Sequence, residues 1–113
     1  MKKIFILVLT LFVTVAYSQD NNVKIEQKGD LTQATYFHDN GVVAQQGTFN
    51  ADGQLHGLWI SYDENGDKIT VGSYEKGKKV GKWLFYSDMV IKEVDYIDSR
   101  IASVKEVPLE TDM

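Results

Sequence analysis

Apolar and polar residues alternate over short segments of this chain, and clusters of glycine, asparagine and aspartate separate the segments. Such alternation, with many aromatic and β-branched residues, is typical of β-strands. No stretch after residue 18 keeps apolar residues at helical spacing over three turns. We therefore predict an all-β chain with almost no helix, whose strands lie near residues 23–26, 33–38, 42–49, 58–62, 68–74, 82–86, 89–96 and 101–107.

Turn signals connect neighbouring strands into hairpins. Asn-Gly pairs occupy residues 40–41 and 65–66, and both residue types tolerate the positive φ that tight turns require. Asp-Gly at 52–53 and Lys-Gly at 76–77 close hairpins at the other end of the strands. Connections this short join antiparallel neighbours, so the pattern predicts an antiparallel meander of hairpins.

The segment VGKWLFY at residues 80–86 is a near-copy of HGLWISY at residues 56–62. Its glycine, tryptophan and final tyrosine recur in register, 24 residues apart. A third, degraded copy follows, in which Ser99 stands where Gly77 stood. Terminal units of a repeat array are expected to be atypical, because they cap the array. We predict about two and a half hairpin repeats and a final strand.

Alternation also assigns side chains to the two faces of each strand. Trp59 is predicted on one face, and Ile60 and Tyr62 on the other. Aromatic residues at equivalent positions should pack as a ladder across the sheet. Gly57 and Gly81 should let a ring lie over bare backbone, or mark a bulge. The candidate interaction or structural aromatics are Trp59, Tyr62, Tyr74, Trp83, Phe85 and Tyr86, and the turn and spacing glycines are Gly41, Gly57, Gly66, Gly77 and Gly81.

The pattern G-x-Y-x-x-G-K-x-x-G-x-W-x-x-Y runs from Gly72 to Tyr86, and a sister copy precedes it. It resembles the MORN-repeat variant of bacterial proteins and, more closely, the YwqK-like family, whose members are commonly labelled antitoxins of toxin-antitoxin systems. The resemblance covers about residues 32–96. It implies a single-layer antiparallel β-meander of stacked hairpins and a protein partner. No catalytic residues come with the pattern.

The first residues have the pattern of a secretory signal peptide. Two lysines precede an apolar run over residues 4–15, and small residues at 16 and 18 favour cleavage between Ser18 and Gln19. The run is shorter than the roughly 20 apolar residues of a membrane span. The chain has no cysteine, which excludes lipidation on an amino-terminal cysteine. We therefore predict an exported protein, periplasmic or secreted, with no stable membrane anchor.

Charge and motifs argue against several classes of function. Without the two amino-terminal lysines, 10 basic and 16 acidic residues leave a net charge of −6, which disfavours nucleic acid and anionic lipid as partners. Two histidines and no cysteine predict no zinc site. No Gly-x-Ser-x-Gly elbow is present, and His56 occupies the position that Val80 fills in the next copy. We predict no enzymatic activity, no catalytic residues, no metal and no cofactor.

These observations divide the chain into a signal peptide at residues 1–18, a lead-in with a possible strand at 19–31, MORN-like repeats with a final strand at 32–107, and an acidic tail at 108–113. The predicted function is an exported, non-enzymatic protein-interaction scaffold that binds another protein or itself as a homodimer. Two alternatives remain open. One is an antitoxin-like protein that neutralises a toxin. The other is a carbohydrate-binding module with Trp59 and Trp83 and nearby tyrosine or phenylalanine as stacking platforms, unless these rings are core residues that hold the hairpins together.

Overall fold

Alternating strands and tight turns build one antiparallel sheet, whose eight strands lie side by side in sequence order. The computed structural model describes residues 22–109, so the predicted signal peptide and residues 110–113 of the predicted tail lie outside the described residues. The strands are β1 (Val23–Lys28), β2 (Leu31–Phe37), β3 (Val43–Phe49), β4 (Gly57–Tyr62), β5 (Lys68–Glu75), β6 (Lys78–Tyr86), β7 (Val90–Ile97) and β8 (Arg100–Pro108). Within residues 22–109 all eight strands belong to this one sheet, so the strands form a single layer. The predicted all-β meander is confirmed.

The hairpin turns lie where they were predicted, but the Asn-Gly pairs use a different geometry. Gly41 and Gly66 have φ of 89° and 90°, whereas neither preceding asparagine has a positive φ. The Gly41 N–H donates to the carbonyl of His38 at 2.9 Å, and the Gly66 N–H donates to that of Asp63 at 3.0 Å. Each is therefore a longer turn that ends in a left-handed glycine. The β5–β6 turn is the two-residue type, with φ of 50° and 85° at residues 76 and 77.

The two central hairpin junctions share the same irregularity in strand pairing. Between β5 and β6, Val71 pairs with Leu84 and Ser73 pairs with Val80, so one residue of β5 faces three of β6. The register between β3 and β4 slips in the same way before Phe49 pairs with Leu55. At each slip the later strand has two more residues than the strand it pairs with. These additional residues begin at Gly57 and at Gly81, whose φ values are 101° and 74°. The bulge predicted at these two glycines is therefore present.

Direct pairing of residues shows which side chains share a face of the sheet. We call the side that carries Trp59 and Trp83 the Trp face, and the other side the opposite face. One row crosses the whole Trp face, with one residue from each strand. In chain order it contains Ile25, Ala34, Gly47, Trp59, Gly72, Trp83, Val94 and Val104. The opposite face carries Ile60, Val71 and Leu84 at its centre.

Candidate interaction surface

Each tryptophan of the Trp face lies flat against a glycine of the preceding strand. A Cβ atom added to Gly47 would come within 2.0 Å of the Trp59 ring, and one added to Gly72 would come within 2.0 Å of the Trp83 ring. Both indole Nε1–H groups donate to a backbone carbonyl, of Thr48 and of Ser73, at 3.0 Å. Each tryptophan is only 4% exposed. Both rings are therefore core residues of the sheet, with their polar atom satisfied.

The prediction that Gly57 and Gly81 let a ring lie over bare backbone is wrong. A Cβ on Gly81 would meet nothing within 4 Å, and one on Gly57 would meet only the Thr48 hydroxyl. The tryptophan side chain reaches sideways over the neighbouring strand, so the room it needs is in that strand and not two residues away in its own. Gly47 and Gly72 supply that room instead.

An aromatic ladder crosses the Trp face, as the repeat predicts. Edge-to-face contacts link neighbouring rings, with centroids 5.1 to 6.5 Å apart in the first three pairs and 5.7 Å apart in the last. The Lys79 ammonium lies 5.1 Å from the centroid of Trp83 and 4.9 Å from that of Tyr96. The ladder holds adjacent hairpins together. Its members in order are Phe49, Trp59, Tyr74, Trp83 and Tyr96.

The Trp face changes character at β7 and β8, where the row continues with two valines. A shallow groove of about 600 Å³ opens here. Val94 forms its buried floor, at 4% exposure, whereas Ile101 and Val104 are 61% and 54% exposed. We call this surface the C-terminal groove. It is lined by Phe85, Val94, Tyr96, Ile101 and Val104 and by the charged pair Lys92 and Glu106, and it continues past that pair to Tyr86, Ser87 and Val90.

Most charged and hydrogen-bonding side chains of the same two strands point away from the groove. Direct pairing places Glu93 with Lys105, and Asp95 with Ser103, on the opposite face. The Ser103 hydroxyl donates to Asp95 Oδ2 at 2.9 Å. Glu93 also forms an ion pair with a lysine of β6 at 3.3 Å. Glu93, Asp95 and Ser103 therefore have polar partners within the chain on the opposite face, while the groove leaves apolar surface exposed to water.

The histidines join successive turns. Nδ1 of His56 accepts a hydrogen bond from the backbone N–H of Lys76 at 3.1 Å. Nε2 of His38 donates to the carbonyl of Tyr62 at 2.9 Å. Each histidine thus connects one repeat to the next, which is a structural role. Within residues 22–109, no three histidine, cysteine, aspartate or glutamate side chains come together as a metal-binding group.

The sequence candidates separate into three places. Trp59, Tyr74 and Trp83 belong to the ladder, Phe85 lines the groove, and the register places Tyr62 and Tyr86 on the opposite face. Sequence reasoning missed the groove, in which the aliphatic residues Ile101 and Val104 of β8 are exposed. The signal that could have found it is the loss of tryptophan from the third copy.

Comparisons of the chain with protein-family models, with curated proteins and with solved structures found no match. A search of residues 22–109 for a helix long and apolar enough to cross a membrane found none. The resemblance to MORN-like repeats therefore stays a prediction. Inference about function rests on the geometry of the Trp face.

Proposed function

We propose that this chain is a non-enzymatic protein-interaction scaffold that binds its partner through the C-terminal groove. The observation that carries the proposal is the exposure of Ile101 and Val104, at 61% and 54%, beside the buried floor residue Val94. Contiguous exposed apolar surface with a polar margin is characteristic of protein interfaces. Lys92 and Glu106 supply such a margin.

A protein partner fits the groove better than a carbohydrate. Sugar-binding platforms need an exposed flat ring, and the two tryptophans that the sequence offered for this role are each 4% exposed. The floor and the β8 wall of the groove are aliphatic. Aliphatic surface lacks the hydrogen-bonding groups that a sugar's hydroxyls require. It instead matches the apolar core of a protein interface.

Site-specific photocrosslinking tests the groove directly. A photoreactive phenylalanine analogue is placed at Val104 in the groove or at Ile97, which is 55% exposed and lies on the opposite face. Irradiation of living cells should give a protein adduct at Val104 and none at Ile97. Equal adducts at both positions, or none at Val104, would contradict the proposal. Glycan binding that Ile101→Glu abolishes would favour the carbohydrate alternative.

We also propose that the scaffold acts outside the cytoplasm, on the basis of the charged start, apolar run and small residues of positions 1–18. The expected mature protein begins at Gln19, which intact-mass measurement of protein from the cell envelope or medium would detect. A full-length chain confined to the cytoplasm would contradict export. That result would favour the antitoxin-like alternative, in which the photocrosslinked partner is a toxin inside the cell.

A further inference from the structure

We infer that the partner docked on the C-terminal groove is a second copy of this chain. The two sheets stack Trp face to Trp face, about a twofold axis that runs parallel to β7 and β8 and between them. This inference rests on the proposed function, because it names the partner of the same surface. It follows from how the residues of β7 and β8 pair within one chain.

Three pairs of residues form the central rungs of the groove, and Val90, which pairs with Pro108, lies beyond the charged one. Lys92 pairs with Glu106, Val94 with Val104, and Tyr96 with Ile101. A twofold axis between the two strands lays β7 of one copy over β8 of the other at the same height. Each residue then faces the partner's copy of its own rung-mate. Lys92 meets the partner's Glu106, and the two apolar rungs meet apolar rungs.

Opposite charges on the same rung make the groove complementary to itself. Lys92 and Glu106 are both exposed, and neither forms an ion pair with any group in residues 22–109. A twofold interface brings a surface against its own copy. A groove with only one sign of charge would therefore repel itself, whereas one lysine and one glutamate on the same rung give two attractive contacts per dimer.

The direction of the axis is determined by the same rungs. An axis perpendicular to the strands that passes through the central valines would bring the charged rung of one copy over Tyr96 and Ile101 of the other, and one through the charged rung would place Lys92 against Lys92. Both charges would then lose water without gaining a partner, which is unfavourable. Only the parallel axis pairs each charge with an opposite charge and apolar surface with apolar surface.

The natural crossing angle of stacked sheets is compatible with this pairing. Residues two positions apart along a strand are separated by about 7 Å, so the charged rung lies about that far from the central valines. A crossing angle of about 30° displaces it sideways by roughly 3.5 Å. The flexible side chains of Lys92 and Glu106 are long enough to span such a displacement.

Charge-reversal variants test this arrangement. Lys92→Glu places like charges on both facing rungs of a homodimer, and so does Glu106→Lys. We expect each variant alone to dimerise at least about tenfold more weakly than the wild type at low salt. An equimolar mixture of the two should form a heterodimer, because the all-acidic rung of one chain then faces the all-basic rung of the other. Native mass spectrometry separates these species by mass.

Two further variants act as controls. Lys105→Glu reverses an exposed charge on the opposite face and should leave dimerisation unchanged. The double variant Lys92→Glu with Glu106→Lys keeps one charge of each sign and should dimerise like the wild type. It also shows whether the chain folds with the charges exchanged, since circular dichroism should give the wild-type spectrum.

Three results would overturn the inference. The first is a wild-type chain that stays monomeric at all concentrations. The second is a pair of single variants that dimerise as tightly as the wild type. The third is an equimolar mixture of the two single variants that stays monomeric while the double variant dimerises. A monomeric chain that is photocrosslinked at Val104 to a different protein would overturn the second copy as partner but support the proposed function. Absence of both dimer and adduct would reject both.

Discussion

The central hairpins and the C-terminal hairpin cover the Trp face with different residues at equivalent positions of the same row. In the centre, Trp59 and Trp83 each cover a glycine of the preceding strand and are 4% exposed. At the C-terminal end, Val104 lies beside Val94 in the continuation of the same row and is 54% exposed. A large side chain on bare backbone closes the surface, whereas two medium side chains next to each other leave it open.

The difference shows that neighbouring residues of the row have complementary sizes. A tryptophan requires a glycine in the neighbouring strand, because any Cβ there would overlap its ring. Val94 has a Cβ at the position equivalent to Gly72, so its strand cannot accept a tryptophan from β8. The first hairpin follows the same rule, since Ala34 lies beside Ile25. Exposed apolar surface at the C-terminal end is therefore a consequence of how the row ends.

Removing a tryptophan should have the largest effect on stability. Trp83→Ala deletes a buried ring, its contacts in the ladder and its hydrogen bond to Ser73, and we expect it to lower the free energy of unfolding by about 3 to 5 kcal/mol. Val104→Ala removes an exposed side chain and should cost about 0.5 kcal/mol or less in dilute solution. Urea denaturation followed by circular dichroism measures both. Equal losses would show that the two regions pack alike.

The second prediction concerns the glycine beneath the ring. Gly72→Ala forces a Cβ into the Trp83 ring and should cost about 1 to 3 kcal/mol. Gly66→Ala is the matched control, because its φ is +90° and no atom lies within 4 Å of the added Cβ, so only backbone strain opposes it.

A double-mutant cycle separates these two causes. In the Trp83→Ala background the ring is absent, so Gly72→Ala should cost less by about 1 kcal/mol or more. The cost of Gly66→Ala should stay the same in both backgrounds. If both costs were unaffected by Trp83→Ala, the ring would not be what requires Gly72.

Much of the fold follows from the sequence alone, because strand alternation and turn residues are local signals. The eight strands, the faces of Trp59 and Tyr62, and the aromatic ladder all follow from periodicity and the repeat. The glycine that receives each ring does not, because it depends on which residues face each other across a slipped register. The groove depends in turn on Val94, whose effect is visible only once its neighbours in the row are known.

The smallest expected effect concerns the turn of the C-terminal hairpin. Ser99 has a φ of 69° and occupies the position of Gly77 in the central hairpin, where glycine adopts such a φ without strain. Ser99 also has a role that glycine lacks, since its hydroxyl accepts a hydrogen bond from the Lys79 N–H at 3.0 Å. Relief of strain and loss of that bond should nearly cancel in Ser99→Gly, leaving stability within about 0.5 kcal/mol of the wild type.

Ser99→Ala shows whether relief of strain and loss of the hydrogen bond offset each other in Ser99→Gly, or whether neither contributes to stability. This variant loses the same hydrogen bond but keeps a Cβ at a positive φ, so it should be about 1 kcal/mol less stable than the wild type. Thermal unfolding of the three proteins side by side measures the difference. If the alanine and glycine variants were equally stable, strain at residue 99 would be negligible. The two hairpin turns would then differ in hydrogen bonding alone.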